Sequence, residues 1–388
     1  MNFKLCKKCL LPSTKPDLLF NDQGICSACF RYEKRKTINW DLKEKELLSI
    51  VESHKSDNNW DSVIPVSGGK DSTFQALYAK KLGLNPLLVS STTCDLSPLG
   101  IENINNLKTL GFDHIQFSPR KDIRNKLNRF GLEQVGDISW PEHVAMFTLP
   151  VKVALKFGIK LIIWGENSQD EYGAGTDKAA QKNILDRNWL EEYGGLNGLR
   201  VNDLNTLLNI QKKDLFPYTY PSLEEIDKAK ITSIFLGSFI PWNGLNNAIL
   251  SQAYGFKTYG KCVEGSIVDY ENLDNHQNGI HDYFKYLKFG FSRATDILST
   301  LIRRGIIDRL TALDLLNRNE RKCFPSSHLG KSLDDILSPL NINKEQFVKI
   351  ADMHTNPEIF INNKNGGFEK FNDGTPKLSD EFLKIYDL

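Results

Sequence analysis

The stretch Val63-Ile64-Pro65-Val66-Ser67-Gly68-Gly69-Lys70-Asp71-Ser72 changes character at Ser67. Trp60 to Val66 is a short apolar run that reads as a buried strand, and a glycine pair flanked by small polar residues follows it directly. Phe74, Leu77, Tyr78 and Leu82 then recur at helical spacing. A glycine turn between strand and helix frees several backbone N–H groups to face one anion, and the helix N-terminus adds partial positive charge. The turn is therefore a phosphate cradle. It is not the G-x-x-x-x-G-K-[ST] loop, because Ile64 occupies the first glycine position and Asp71 follows Lys70. Nor is it the G-x-G-x-x-G loop, because Gly68 and Gly69 are adjacent and no third glycine follows at the right offset.

Working outward, apolar runs at 86–89, 114–117, 160–164 and 231–239 predict further strands, and they alternate with helical patterns at 103–110, 142–157 and after Asn243. Such alternation predicts an α/β fold, a parallel sheet with helices on both faces. Ahead of it, Phe30 to Lys36 reads as a solvated basic connector. Asp41 is expected to cap a helix whose Leu42, Leu47, Leu48, Ile50 and Val51 share a face. From about Asp282 the pattern is helical, at 283–289, 294–304, 307–316, 333–337 and 345–353, and 356–375 is a turn-rich loop. The expected division is an N-terminal ribbon (1–36), the α/β domain (37–260) and a helical C-terminal region (261–388).

Four of the seven cysteines fall in the first 29 residues as Cys6-x2-Cys9-x16-Cys26-x2-Cys29. Two such knuckles aim four thiolates at one tetrahedral ion, so the spacing predicts a structural zinc ribbon, with an iron–sulfur cluster as the competitor. Cys94, Cys262 and Cys323 stand alone. The 388 residues carry 49 lysines and arginines against 48 aspartates and glutamates, a net charge of +1. The sequence pI of about 7.6 lacks the basic footprint of a nucleic-acid binder. No run approaches the ~18 apolar residues of a membrane span, and the first residues lack signal-peptide architecture, so a cytoplasmic location is expected.

The string Ser67-Gly68-Gly69-Lys70-Asp71-Ser72 resembles the S-G-G-x-D-S signature of PP-loop ATP pyrophosphatases, the adenine-nucleotide α-hydrolase-like fold. Gly165-Glu166-Asn167 with Glu171-Tyr172, Tyr270-Glu271-Asn272-Leu273-Asp274, and the run from His281-Asp282-Tyr283 to Ser292-Arg293-Ala294-Thr295-Asp296 are similar to motifs of the N-acetyl sugar amidotransferases. So is the four-cysteine ribbon. The similarity runs from Cys6 to about Leu316. It implies conversion of a sugar acetamido group to an acetamidino group in bacterial surface-polysaccharide or flagellin-glycan synthesis, of the pseudaminic or legionaminic acid type. ATP, Mg2+ and Zn2+ are the implied cofactors. Ser67, Gly68, Gly69, Ser72 and Gly165 would bind nucleotide, Lys70 and Asp71 would serve phosphate and magnesium, Glu166 and Asn167 would bind the acceptor or take a proton from ammonia, and Lys288 and Arg293 would meet the sugar carboxylate or the α-phosphate.

An amide oxygen is a poor leaving group until AMP is transferred to it, after which ammonia attacks the carbon and expels AMP. The site must neutralise phosphate, hold the sugar and position ammonia. Glu166 and Asn167 follow a predicted parallel strand, where open α/β sheets bind ligands, although a polar turn capping a helix has the same composition. Lys288 and Arg293 bracket Gly290 on an expected loop, and they read equally as exposed cations. His281 beside Asp282 is an oriented imidazole or a satisfied structural histidine. No cysteine has a glutaminase setting: Cys6 belongs to the ribbon, Gly260-Lys261-Cys262-Val263-Glu264-Gly265 is one residue too long for G-x-C-x-G, and Cys94 and Cys323 have no glycine two places before them. Ammonia is therefore expected from a separate glutaminase. The alternatives are a tRNA-modifying PP-loop enzyme, a thiolase or lysidine-type ligase, and a catalytically silent zinc-ribbon scaffold.

Overall fold

Five short strands take up the apolar runs: β1 (Ser62–Pro65), β2 (Pro86–Ser91), β3 (Asp113–Phe117), β4 (Leu161–Trp164) and β5 (Thr232–Phe235). The computed structural model describes residues 3–55, 59–93, 95–167, 173, 201–320, 323–364 and 366–386; Cys94, Glu171 and Tyr172 lie outside them. All neighbouring strands pair in parallel, in the order β3-β2-β1-β4-β5. Successive side chains point to opposite faces. Val63 and Ile162 thus enter one core with Ile123, Leu127 and Trp140, while Ile64, Leu161 and Ile163 enter the other with Leu47, Ala76 and Leu107. Helices α2 (Trp40–His54), α3 (Lys70–Lys81) and α4 (Pro98–Thr109) cover the second face, and α5 (Lys121–Phe130) and α6 (Trp140–Phe157) cover the first. Coverage on both faces explains why β1, β2, β4 and β5 read as apolar runs, whereas the edge strand β3 is half-exposed.

This strand order sets the site. Connections wind one way from β1 through β2 to β3 and the other way from β4 to β5, so the loops after β1 and β4 diverge. They leave a crevice at the carboxyl ends of the central strands, the switch point where open α/β sheets take ligands.

Two local readings need correction. Asn39 caps α2, its side chain accepting from Leu42 N at 3.1 Å, so the helix begins before Asp41. Leu47 and Val51, four apart, form the buried face, while Leu42 and Leu48 are exposed. The basic run Phe30–Lys36 is largely the helix α1 (Ser27–Arg35) that follows the second cysteine knuckle. Its Arg31 is buried, and Arg35 Nη2 donates to Gly237 O at 3.1 Å, so the run docks on the sheet domain as well as facing water.

Beyond β5 come α7 (Gly244–Ala253), α8 (Asn278–Phe289), α9 (Arg293–Arg303), α10 (Arg309–Asn319) and α11 (Lys344–Met353). The helical reading holds for these. It missed a two-residue hairpin, Ser327–His328 against Lys331–Ser332, and single bridges such as Phe360↔Leu378, all too short to show period-2 alternation. Tyr283, Phe284 and Leu287 of α8 pack with Phe347 and Phe360 into a separate core. No helix among the described residues is long and apolar enough to cross a membrane.

Glu320, just past α10, is buried and accepts from Thr295 N (2.8 Å) and Thr295 Oγ1 (2.7 Å). Burial pushes its carboxyl up from the usual 4.5 to about 7, against the pull of those hydrogen bonds. The folded chain therefore holds this proton more tightly than the unfolded chain. Its contribution is fully favourable below about pH 4.5 and is lost as pH rises through 7. Glu320→Gln should accordingly melt above wild type at pH 8, by on the order of 2 kcal/mol, with the gap narrowing toward pH 5. Thermal denaturation at the two pH values checks this, and an equal gap at both contradicts it.

Candidate active site

Gly68, the first residue of the pair, adopts φ +83°, and a Cβ there would stand 2.8 Å from Ile104 Cγ1 and 2.9 Å from Ile104 N. Only glycine fits, because the left-handed backbone and the approach of α4 both forbid a side chain. Gly69 is the N-cap of α3, and Ser67 Oγ accepts its N–H at 3.3 Å. Ser72 Oγ returns to Gly69 O at 3.0 Å. The loop is thus held open at the head of α3, facing a cleft of about 200 Å³ lined by Ser67 to Ser72 on one side and Tyr270 to Asp274 on the other.

Lys70 does not extend into solvent. It is buried, with Nζ 2.5 Å from Asp71 Oδ2 and 3.0 Å from Glu271 Oε1. Burial alone lowers an ammonium pKa, but the two carboxylate charges outweigh it and hold Lys70 above the usual lysine value. The same pairing, with help from Arg293, holds Glu271 below the usual glutamate value against its own burial. Asn247 of α7 donates to Asp71 Oδ1 at 2.8 Å, so both oxygens of that carboxylate are fixed.

Arg293 opens α9 and donates to Asp282 through Nη2 (3.1 Å) and Nε (3.3 Å), with Nη1 4.0 Å from Glu271 Oε2. Asn272 Nδ2 adds a third contact to Asp282 at 2.6 Å. A chain of alternating charges, Asp71–Lys70–Glu271–Arg293–Asp282, therefore joins the phosphate loop to α8. Arg293 also lines a second recess, shared with Lys70, Asp71, Glu166, Trp242 and Arg304.

The crevice thus brings together Ser67, Gly68, Gly69, Lys70, Asp71, Ser72, Glu166 and Arg293. Gly165 directly follows β4, and its carbonyl accepts from Gly237 N at 3.1 Å. Asn167 is buried. Lys288 lies elsewhere: it belongs to the last turn of α8, not to a loop, and its Nζ donates to Val135 O at 2.7 Å beside Gly136 and His354. Gly290, at φ +73°, caps α8, so Lys288 and Arg293 sit on consecutive helices that diverge at a tight turn. His281 pairs with Asp137, 2.8 Å away, and not with adjacent Asp282. Sequence reasoning quoted Glu271 within a motif without a role, and it missed Asn247, Asp137 and His143. Nothing local marks those three, since each finds its partner more than five residues away.

At the N-terminus, Cys6, Cys9, Cys26 and Cys29 are fully buried, and their Sγ atoms lie within 4.8 Å of one another. Cys6 to Cys29 is 3.8 Å and Cys9 to Cys26 is 3.7 Å. A tetrahedron with Zn–S bonds of about 2.3 Å has edges of about 3.8 Å, so the donor set is compatible with zinc. A [4Fe-4S] cluster would attach each thiolate to its own iron and spread the sulfurs further apart. The backbone N–H groups of Lys8, Cys9 and Cys26 all point at Cys6 Sγ, at 3.3–3.4 Å. The ribbon packs on Phe289, Phe291 and Ile302, and Arg309 donates to the carbonyls of Cys6 and Cys9.

No curated protein matches the chain. Among solved structures, the NMN synthetase of Francisella tularensis is 14% identical, covering 50% of this chain and 93% of that one at a TM-score of 0.29. The NH3-dependent NAD synthetase of Campylobacter jejuni is 14% identical, with 56% and 97% covered and a TM-score of 0.28. The tRNA thiolase NcsA of Methanococcus maripaludis, described with its [4Fe-4S] cluster, is 14% identical, with 58% and 79% covered and a TM-score of 0.24. Residues 256–373, which supply Glu271, Asp282 and Arg293, match the family model of the C-terminal domain of WbpG-like LPS biosynthesis proteins.

Proposed function

We propose that this chain is an ATP-dependent amidotransferase that converts an acetamido group on a bacterial surface-glycan sugar to an acetamidino group. The observation that carries the reading is the joining of a phosphate loop, Ser67 to Ser72, to Glu271, Asp282 and Arg293 of the segment matched to LPS biosynthesis proteins. A cleft built from both supports a reaction in which nucleotide and glycan meet.

In this reading the N–H groups of the loop hold the phosphates released as pyrophosphate, and the amide oxygen attacks the α-phosphorus. Lys70 and Arg293 face the negative charge that develops there. Asp71 and Glu271 supply the hard oxygen donors that suit magnesium, which would neutralise the departing pyrophosphate. Glu166, just past β4 and lining the second recess, would serve the acceptor. The four cysteines would hold one structural zinc. Residues 1–36, 37–260 and 261–388 serve as ribbon, nucleotide domain and acceptor-completing region.

Ammonia comes from a separate glutaminase in this account. Incubation with ATP, ammonium and a panel of free and nucleotide-linked acetamido sugars should yield a product one mass unit lighter, the signature of amide-to-amidine conversion. Glutamine in place of ammonium should give none. Absence of the lighter product across the panel removes the sugar assignment, and glutamine-dependent product from the lone chain removes the separate glutaminase.

A further inference from the structure

The second recess lies along one face of α9. Arg293, Asp296, Ile297, Thr300, Leu301 and Arg304 line it, at the three- and four-residue steps of a single helical stripe. The opposite stripe is already occupied. Ala294 and Leu298 pack with Leu10 and Leu313, and Ser299 Oγ accepts from Leu10 N at 3.2 Å. Ile297 and Leu301 remain partly exposed in the recess, where they and Trp242 supply apolar lining. Trp242 is fixed there, its ring edge-to-face on Phe74 with centroids 5.5 Å apart and its carbonyl accepting from Arg304 Nη2 at 3.4 Å.

Lys70, Asp71, Tyr270 and Glu271 line both this recess and the phosphate-loop cleft, so the two share a wall. They differ in size. The cleft measures about 200 Å³, whereas the recess measures about 60 Å³. At roughly 10–15 Å³ for each water-sized occupant, the recess takes about four to six non-hydrogen atoms. A nucleoside is too large for it, and an acetamido group, one nitrogen, one oxygen and two carbons, fits. The polar lining agrees with that group. Asp296 Oδ2 pairs with Lys285, while Oδ1 is buried and makes no hydrogen bond among the described residues. Leaving such an oxygen unpaired costs free energy that an entering N–H donor recovers.

We propose that the second recess is the acyl pocket for the reacting amide, and that Ile297, Thr300 and Leu301 limit its acyl chain to acetyl; this rests on the amidine-forming reading. The methyl group lies against Ile297, Leu301 and Trp242, and the amide N–H donates to Asp296 Oδ1. The amide oxygen then faces the shared wall, where Lys70 meets the phosphate loop. A methylene added to the acyl chain has no room beyond the α9 stripe, so selection for acetyl over propanoyl is built into this helix and not into the loop.

The test reads acyl selectivity apart from nucleotide binding. It uses whichever member of a panel of free and nucleotide-linked N-acetylhexosamines supports acceptor-dependent ATP–pyrophosphate exchange in the wild type, together with its N-propanoyl counterpart. Wild type should favour acetyl by about tenfold or more in kcat/KM. Leu301→Ala and Ile297→Ala should shrink that preference to about twofold or reverse it. Thr300→Phe, which fills the recess, should lower exchange with the acetyl sugar about thirtyfold or more. Binding of α,β-methylene-ATP, measured by calorimetry, should stay within about threefold of wild type in all three, with unchanged circular dichroism. A preference absent from the wild type, or one that survives in both alanine variants, overturns the proposal. Loss of α,β-methylene-ATP binding in folded Thr300→Phe also overturns it, since the recess then belongs to the nucleotide. A wild type that exchanges with no acetamido sugar instead removes the amidine-forming reading, and this inference with it.

Discussion

Asp71→Asn lowers acceptor-dependent pyrophosphate release by at least about a hundredfold, roughly 2.7 kcal/mol of lost transition-state stabilisation. The carboxylate is fixed by Lys70 Nζ and Asn247 Nδ2, so its position is determined before any ligand arrives. Replacing it with an amide keeps the shape and removes the charge, leaving the buried Lys70 ammonium with Glu271 as its remaining carboxylate partner at the loop. Ser67→Ala should act in the same direction without disturbing the core, because Ser67 is exposed and its hydroxyl supports only the Gly69 N–H within the loop. Circular dichroism alongside the pyrophosphate assay distinguishes loss of chemistry from loss of fold. Turnover retained in either folded variant would remove the ATP assignment.

Stripping the metal from the full chain, or introducing Cys29→Ser, lowers the apparent melting temperature by roughly 5–10 °C and reduces activity with it. Four buried thiols whose sulfurs lie within 4.8 Å of one another repel as thiolates and pack poorly as thiols once no cation joins them. The damage does not stay in the first 30 residues. Phe289 and Phe291, which pack on the ribbon, flank the Gly290 turn that aims α9, and Arg293 opens that helix. Hydrogen exchange should therefore rise in residues 3–36 and along α9 and α10, while β1 to β5 stay protected. Metal analysis should give one zinc per chain. Iron with sulfide, no metal, or exchange confined to the ribbon would each contradict this account.

The sheet was legible because β1, β2, β4 and β5 are buried along most of their length, so an apolar run between turn residues sufficed, while the half-exposed edge strand β3 showed only through its place in the alternation. The phosphate loop was legible because only glycine tolerates φ +83° against Ile104, and the need for glycine shows in the letters themselves. Four cysteines at knuckle spacing are similarly local. What stayed hidden depends on distance along the chain. Lys70 meets Glu271 across 201 residues, and Asp137 meets His281 across 144. No periodicity encodes such pairings. Adjacency is no guide either: His281 and Asp282 are neighbours on α8, yet one side chain turns to Asp137 and the other to Arg293, because consecutive helical residues point about 100° apart. Lys288 and Arg293 looked equivalent as cations around a glycine, and the αL cap at Gly290 sends them to different surroundings.

The most direct test of the central claim is the nucleotide product. Purified full-length protein incubated with ATP, magnesium, ammonium and the panel of acetamido sugars should release AMP and pyrophosphate in equal amounts, dependent on the acceptor and matched by amidine formed. Release of ADP and orthophosphate, or AMP formation indifferent to every acetamido sugar, would contradict the claim that the Ser67–Ser72 loop drives activation of an amide oxygen.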